Sequence, residues 1–367
     1  MLNLMLANNQ FVYKRPIHEY ISCVWRDRFY RPGDFELKMA ADKDFYDAVG
    51  HDDRIVDFDG GEPMVIESKA TRFDWDAGPI MEFKGRSLRS VLDRRIERRP
   101  GPIPQGTRLN AMLKDIYQRN VYPGTLDGQQ LPNIPYSSEP VPDWMAAITV
   151  DETEVHGKEI LEIVNDICDQ YHVGSTMWSP DYSRYPSPFK LVKGTDRSIS
   201  QTERQPVIFS QELDNVKSIE RTIDFSAEKN MAIFYLDDQS GENKSWTYTP
   251  EISYVFSRGF DRREVFAKYT LGRPQEGMTW VTIPVEYTGK KAIRDHRRVD
   301  KAEAEVIETE TNRYGKDFFV GDIVTVRDEF GSVKSVVIEE YIRSVDKSGT
   351  SAYPTLGPLE GSWGVST

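Results

Sequence analysis

The sequence predicts an α+β chain with at least two β-rich units. Three observations predict it. Short runs of alternating apolar and polar residues fill the first 86 residues, one strongly amphipathic segment covers 158–172, and alternation returns from 173 to the end. The order is therefore β, α, β-rich, short α, β.

The elements follow in order. "FVYK" (11–14), "YISCVWRDRFY" (20–30) and "FELKM" (35–39) are rich in aromatic and β-branched residues, and the turn "RPGD" (31–34) separates the last two. "MVIESKATRFDWD" (64–76) and "IMEFKGR" (80–86) flank a Gly78-Pro79 turn. "SLRSVLDRRI" spaces Leu88, Val91, Leu92 and Ile96 for a helix behind Ser87 as N-cap. "TRLNAMLKDIYQRNV" does the same behind Thr107. Residues 121–142 read as a Pro-, Gly- and Ser-rich loop, and "AAITVDETEV" (146–155) as a strand. "KEILEIVNDICDQYH" (158–172) carries one apolar stripe, Ile160, Val164, Ile167, Cys168 and Tyr171. Strand signals follow in "VGSTMW", "FKLVKG", "PVIFS", "NMAIFYLDD", "SWTYTP" and "REVFAKYTL". A polar helix is expected over 290–305, then strands over "VIETET" and 318–349.

The chain has 367 residues, 29% charged and 38% hydrophobic, which is the composition of a globular protein with a substantial core. Its formal net charge of -12 opposes a duplex-binding role, because such affinity comes from neutralising phosphates. Cys23 and Cys168 lie in apolar-periodic segments and read as buried free thiols. No apolar run is long enough to span a membrane.

Two stretches invite chemistry. The first, "GRSLRSVLDRRIERR", concentrates Arg86, Arg89, Arg94, Arg95, Arg98 and Arg99. The aromatic interleaving of a single-strand binder is missing, so arginine–carboxylate forks between domains are the favoured reading. The second, "DDRIVDFDGGEP" (52–63), gathers Asp52, Asp53, Asp57, Asp59 and Glu62 without the spacing of a calcium loop. It reads as a solvated turn, with a glycosidase-like carboxylate pair as the alternative. The five histidines are dispersed, and no metal, phosphate-loop or nucleophile-elbow motif occurs.

The order of segments is more informative. "ISCVWRDRFYRPGDFEL", "VIESKATRFDWDAGPIMEFKGRSLRSVLDRRI", "KEILEIVNDICDQYHVG", "LVKGTDRS" with "PVIFSQELDNV", "FDRREVF" and "YGKDFFVGDIVTVRDEFG" resemble, in the same order, signatures of the tail-hub proteins of siphophages. This is the Gp37-like type that also forms the N-terminal part of tail-associated lysins. Residues 121–142 and 270–290 fit the pattern poorly.

The resemblance implies two tube-type β-barrel domains with small helical or α+β domains between them. The expected boundaries are 1–86 for the first barrel part, 87–172 for the middle, 173–268 for the second barrel part, 269–310 for an insertion and 311–367 for a segment completing a barrel. It also implies a homotrimer capping the six-fold tail tube, with two barrels per chain resolving the symmetry change. Distal-tail, tail-tube, tape-measure and fibre or receptor-binding proteins are the implied partners. DNA would pass through without specific binding, there would be no membrane insertion, and the chain would be assembled in the host cytoplasm into the distal tail. No catalytic residue, metal or cofactor is expected, since lysin members continue into a hydrolase domain where this sequence has only "SAYPTLGPLEGSWGVST". The expected junction residues are Arg86, Arg89, Asp93, Arg94, Arg95, Asp196, Arg197, Asp261, Arg262 and Arg263, with Arg86 and Arg94 pairing with carboxylates across a junction. Gly33, Asp34, Gly85, Gly321 and Asp322 are the expected turn residues. The alternatives are a peptidoglycan-degrading enzyme, a receptor-binding tip protein and, through the arginine segment, a DNA-binding protein.

Overall fold

The alternating runs at the two ends of the chain meet in one sheet. A computed structural model describes residues 2–58, 60–75, 78–122, 131, 134–150, 153–178, 187–238, 246–250, 259–271, 285–310, 312–327 and 333–358. The N-terminal strands are β1 (Leu4–Ala7), β2 (Tyr13–Ile17), β3 (Ser22–Arg28), β4 (Asp34–Ala40), β5 (Arg54–Asp57), β6 (Met64–Asp74) and β7 (Gly78–Ser87), with helix α1 (Lys43–Ala48) after β4. The middle holds α2 (Leu109–Asn120), α3 (Asp143–Ala146), α4 (Ile160–Tyr171) and the short strands β8 (Gly174–Thr176) and β9 (Lys190–Val192). Then come β10 (Ile208–Phe209), β11 (Val216–Asp224), β12 (Met231–Asp238), β13 (Trp246–Pro250), β14 (Glu264–Leu271), α5 (Val285–Arg294), β15 (Val299–Val306), β16 (Ile323–Arg327), β17 (Val333–Asp346) and β18 (Gly349–Pro358). The whole is a mixed fold, mostly antiparallel sheet with few helices.

The main sheet runs β11-β15-β18-β17-β3-β4-β7-β6-β5-β1-β2, with β16 beside β17 and β10 beside β16. It is an open path: among the described residues its end strands do not pair with each other, so no single-chain barrel closes. Strand β17 is its spine. One edge of β17 pairs with β18, and the other pairs first with β16 and then, from Glu340 to Val345, with β3. The two β units are therefore joined by backbone hydrogen bonds.

Alternation gives this sheet two unlike faces. Inward, Cys23, Trp25, Phe35, Leu37, Met81 and Phe83 pack under β1, β5 and α1. Further along, Ala304, Val306, Ile338, Tyr341, Ala352 and Leu356 form a second core with Phe209 and Phe318. A third core gathers α2, α4 and the turn Leu88–Arg94 around Leu88, Leu92, Leu113, Tyr117, Val164 and Phe189. Cys23 and Cys168 are fully buried, and burial pushes both thiols up to about 12.

Five local expectations are corrected. Leu88–Arg94 is a 3-10 turn, because the bridge of Ile96 to Glu159 draws the chain straight immediately afterwards. Ser87 does not cap it; its hydroxyl accepts from the Gly33 amide at 3.2 Å. Thr107 does not cap α2 either, since Arg108 is at the cap and the Thr107 hydroxyl donates to the Pro104 carbonyl. The expected strand at 146–155 is the end of α3 followed by isolated bridges at Thr149 and Thr153. The helix expected over 290–305 ends at Arg294, and "VDKAEAEV" is strand β15. Pairing with β11 on one side and β18 on the other overrides the helix propensity of Lys, Ala and Glu, and puts Ala302, Ala304 and Val306 on the dry face.

Candidate functional site: the junction of three segments

Three distant segments converge on Phe29, at the end of β3. A Cβ on Gly174 would lie 2.4 Å from its ring, and one on Gly321 would lie 2.2 Å from it. Gly321 has φ +91° and carries a second constraint, since a Cβ on Gly194 would sit 1.6 Å from its carbonyl oxygen. Glycine is thus required where the middle segment, the "KGTDRS" turn and the "VGD" turn touch. Replacing Gly321 with alanine is expected to destabilise the chain by roughly 2–4 kcal/mol, from both the backbone strain and the clash. A urea midpoint within error of the unaltered chain would show that Phe29 can give way.

Asp322 holds the same turn. It accepts from the Thr195 amide (2.8 Å), the Arg197 Nε (2.7 Å) and the Phe319 amide (3.1 Å). Asp196 accepts from the Ser198 amide and shapes the turn that presents Arg197. Burial raises the Asp322 carboxyl above its ordinary range, against the pull of these donors.

Arg89 is the second fastening. Its buried guanidinium donates to Glu62 (2.8 Å), to Ser175 Oγ (3.2 Å) and to the carbonyls of Arg28 (2.7 Å), Phe29 (3.3 Å) and Arg31 (2.9 Å). A cavity of about 230 Å³ opens beside it, walled by Phe29, Trp178, Tyr314 and Phe319. The third fastening is Arg343, which donates to Asp57 (2.6 Å), Asp27 (3.4 Å) and the Gly60 carbonyl (3.0 Å). It lies 5.9 Å from the Trp25 ring and 5.5 Å from the Tyr314 ring. Burial pushes the Asp27 carboxyl up to about 6, with Arg343 pulling the other way.

The acidic turn is now accounted for. Asp52 takes both Arg94 amines at 2.7 and 2.8 Å, Asp53 takes Lys14 at 2.6 Å, Asp57 takes Arg343 and Glu62 takes Arg89. Asp59 lies outside the described residues. Two pairs, Arg94 with Asp52 and Arg89 with Glu62, join the arginine and acidic stretches directly.

The remaining expected residues divide. Arg86 pairs with Glu67 and Asp93, each at 2.7 Å, on the surface, and Arg95 donates to the Arg94 carbonyl. A Cβ on Gly33 would meet the Arg26 carbonyl at 2.0 Å and one on Gly85 the Val65 carbonyl at 1.8 Å. Asp34 sits between Arg26 and Arg28, at 2.6 Å from each. Asp261, Arg262 and Arg263 are elsewhere: Arg262 pairs with Glu264, Arg263 with Glu228, and the Asp261 carbonyl accepts from Asn230. They belong to the β12–β14 unit and do not join the junction. Arg343, Asp27 and Phe29 were missed. A signal existed for the first two: Arg343 is in phase with Tyr341 and Val345, and Asp27 with Cys23 and Trp25, so both charges point inward.

The outward face is a lattice of cross-strand ion pairs. Arg26 and Arg28 meet Asp34, Arg28 also meets Glu340, and Lys38 and Lys84 each meet Glu36 and Glu82. The hydrogen bond from Lys38, with that from Lys84, holds the Glu36 carboxyl down at about 2. On the other unit, the outward residues are Glu340, Ile342 and Ser344 of β17, Ser351, Tyr353 and Thr355 of β18, and Lys301, Glu303 and Glu305 of β15.

Comparison places this geometry. The chain belongs to the Siphovirus ReqiPepy6 Gp37-like protein family, whose model matches residues 3–358. This is the family type that the ordered motifs resemble. No curated protein sequence matches the chain. Its fold is similar to that of the prophage MuSo2 43 kDa tail protein from Shewanella oneidensis, at 14% identity and TM-score 0.56, over 98% of both chains. It is also similar to a tail protein from Neisseria meningitidis MC58, at 12% identity and TM-score 0.56, over 99% of this chain and 98% of that one. The prophage tail protein gp18 from Listeria monocytogenes EGD-e is a third, at 14% identity and TM-score 0.53, over 98% and 95%.

Proposed function

We propose that the chain is a structural, non-enzymatic subunit of the phage tail hub, three copies of which close into a ring around the DNA-exit channel. The observation that carries this is the sheet from β11 to β6. Its eight strands run antiparallel and share one polar face across both β units. Both of its flanks are open among the described residues. β11 pairs with no described strand on its outer edge, and β5 pairs with β6 only at Met64 and Val65, leaving 67–74 without a neighbouring strand. Long bare edges are sites of pairing with another chain.

Eight is an even number. Copies related by rotation about an axis along the strands therefore present β11 and β6 to each other antiparallel. Three copies make a closed wall of about 24 strands, roughly 45–50 Å across between backbones. The ion-paired face would line that lumen. Its cations are answered by carboxylates on the same face, so a passing phosphate backbone meets little net attraction. The tube-type barrels expected from the sequence then become halves of a wall that only the assembly closes. The junction is the means by which each chain holds its two halves in one curve, and Arg86 and Arg94 remain the proposed locks on its flank. Distal-tail, tube, tape-measure and fibre proteins are the proposed neighbours, at the distal end of the virion tail.

Cysteines at Thr222 in β11 and Thr71 in β6 test this. In assembled tail tips, oxidation should give a covalent trimer that neither single variant gives. Covalent dimers alone, or no cross-link in tips shown to contain the chain, would sink the ring as drawn.

A further inference from the structure

Residues 225–298 leave and re-enter the sheet between two paired strands, since β11 and β15 pair from Val216 with Val306 to Asp224 with Val299. The excursion contains β12, β13, β14 and α5, and it has its own small core of Ala232, Phe234, Ala267 and Ile293. Its stalk is thin, because β11 is exposed on both faces from Lys217 to Asp224 except at Ile219. Among the described residues, an ionic contact joins the excursion to the body. Lys291 of α5 meets Asp166 of α4 at 3.2 Å, and Lys158 holds the other oxygen of the same carboxylate at 3.1 Å. Beyond them a cleft of about 510 Å³ separates Arg294 and Arg297 from Asp169 and Glu339. Among the described residues neither arginine makes a direct ion pair there.

Glu339 is placed for this cleft. The register of β17 slips between Ile338 and Glu340, and a bulge of this kind re-aims the extra side chain out of the alternation. Gly357 makes room for it, since a Cβ there would stand 2.0 Å from the Glu339 carboxylate. Burial raises the carboxyls of Glu339 and Asp169 above their ordinary range, against the attraction of Arg297 on the first and Arg31 on the second. The body thus presents two carboxylates to two arginines of the excursion across open space, Asp169 being held on its own side by Arg31 at 2.6 Å. Contacts of this kind give little net stability and are screened by salt.

We propose that residues 225–298 form a hinged arm held against the body by an ionic latch, in which Lys291 engages Asp166 while Arg294 and Arg297 face Asp169 and Glu339. The β11–β15 ribbon is the hinge, and the latch opens when competing charge is offered. This does not depend on ring formation, so the isolated full chain suffices for the test. Dyes on cysteines introduced at Phe260 in the arm and Glu162 in α4 report the separation, the two native thiols being buried. Single-molecule energy transfer should show a docked population and a low-transfer one that grows between about 50 and 500 mM NaCl. Lys291→Ala should increase the low-transfer fraction about two- to fivefold. In a double-mutant cycle, Asp166→Asn should release the arm by a similar factor, and adding it to Lys291→Ala should add little. One population, unmoved by salt and by Lys291→Ala, would overturn the latch. Fully additive release by Lys291→Ala and Asp166→Asn would overturn the Lys291–Asp166 pair as its catch.

Discussion

Replacing Arg89 with methionine is expected to destabilise the chain by about 3–5 kcal/mol, enough to remove most of the stability of an ordinary domain. Methionine fills much of the volume, so the loss is electrostatic rather than a cavity. It strands Glu62, which is 8% exposed and takes its charge partner from Arg89. It also strands the carbonyls of Arg28, Phe29 and Arg31 at the point where β3 turns toward the middle segment. Lysine should rescue poorly, because one ammonium cannot reproduce a fork that reaches five acceptors. Adding Glu62→Gln to the methionine variant should recover part of the loss, since an amide is cheaper to leave buried than a carboxylate. Urea midpoints of the two singles and the double measure the coupling. A loss under about 1 kcal/mol for the arginine variant would mean that the junction is held by packing around Phe29 instead.

Arg343→Met should have an effect of similar size with a distinctive pH dependence. It leaves Asp27 and Asp57 buried with no guanidinium between them. At pH 8 the loss should be about 3–5 kcal/mol. Asp27 already titrates near 6 when folded, against an ordinary value of 3.8. A raised folded pKa means that this group favours the folded chain most at low pH and loses that contribution as pH rises through about 6. Without Arg343 the value rises further, so the variant should recover on acidification from pH 8 toward pH 5, as Asp27 takes up a proton. Equal losses at pH 5 and pH 8 would show that the charges are not coupled. Asp27→Asn alone should flatten the profile of the unaltered chain across the same window.

The sequence carries the strands well and their partners poorly. Alternation in "SCVWRDR" and "YIRSV" marks the inward face of β3 and β17 residue by residue, and α4 is legible from its stripe alone. That β3 and β17 are neighbours is not legible, because period-two alternation states which face is dry and is silent on what lies alongside. The same silence hid β15, whose Lys, Ala and Glu residues become a strand only when two other strands flank it. In the junction, Arg89 and Arg197 stood out as charges inside ordered motifs. Glu62 and Asp322 stood out too, in an acidic turn and as a turn residue, but not as their partners, since Glu62 is 27 residues from Arg89 and Asp322 is 125 from Arg197. Of the glycines at 174, 194 and 321 only the last was expected as a turn residue, and what each must leave room for is visible only from the ring and backbone pressed against it.

The spine strand has a consequence for how the chain matures. Residues 340–345 pair with 23–28, so strand β3 waits for a segment that is made long after it. Until then the outer edge of β3 is bare, and a truncated or stalled chain has neither the shared strand nor Arg343. Such contacts of large sequence separation are slow to form and act late. The order of synthesis thereby sets an order of folding: the strands of the first unit exist before the strand that joins them to the second, and the continuous sheet forms only after residues 340–345 have been made.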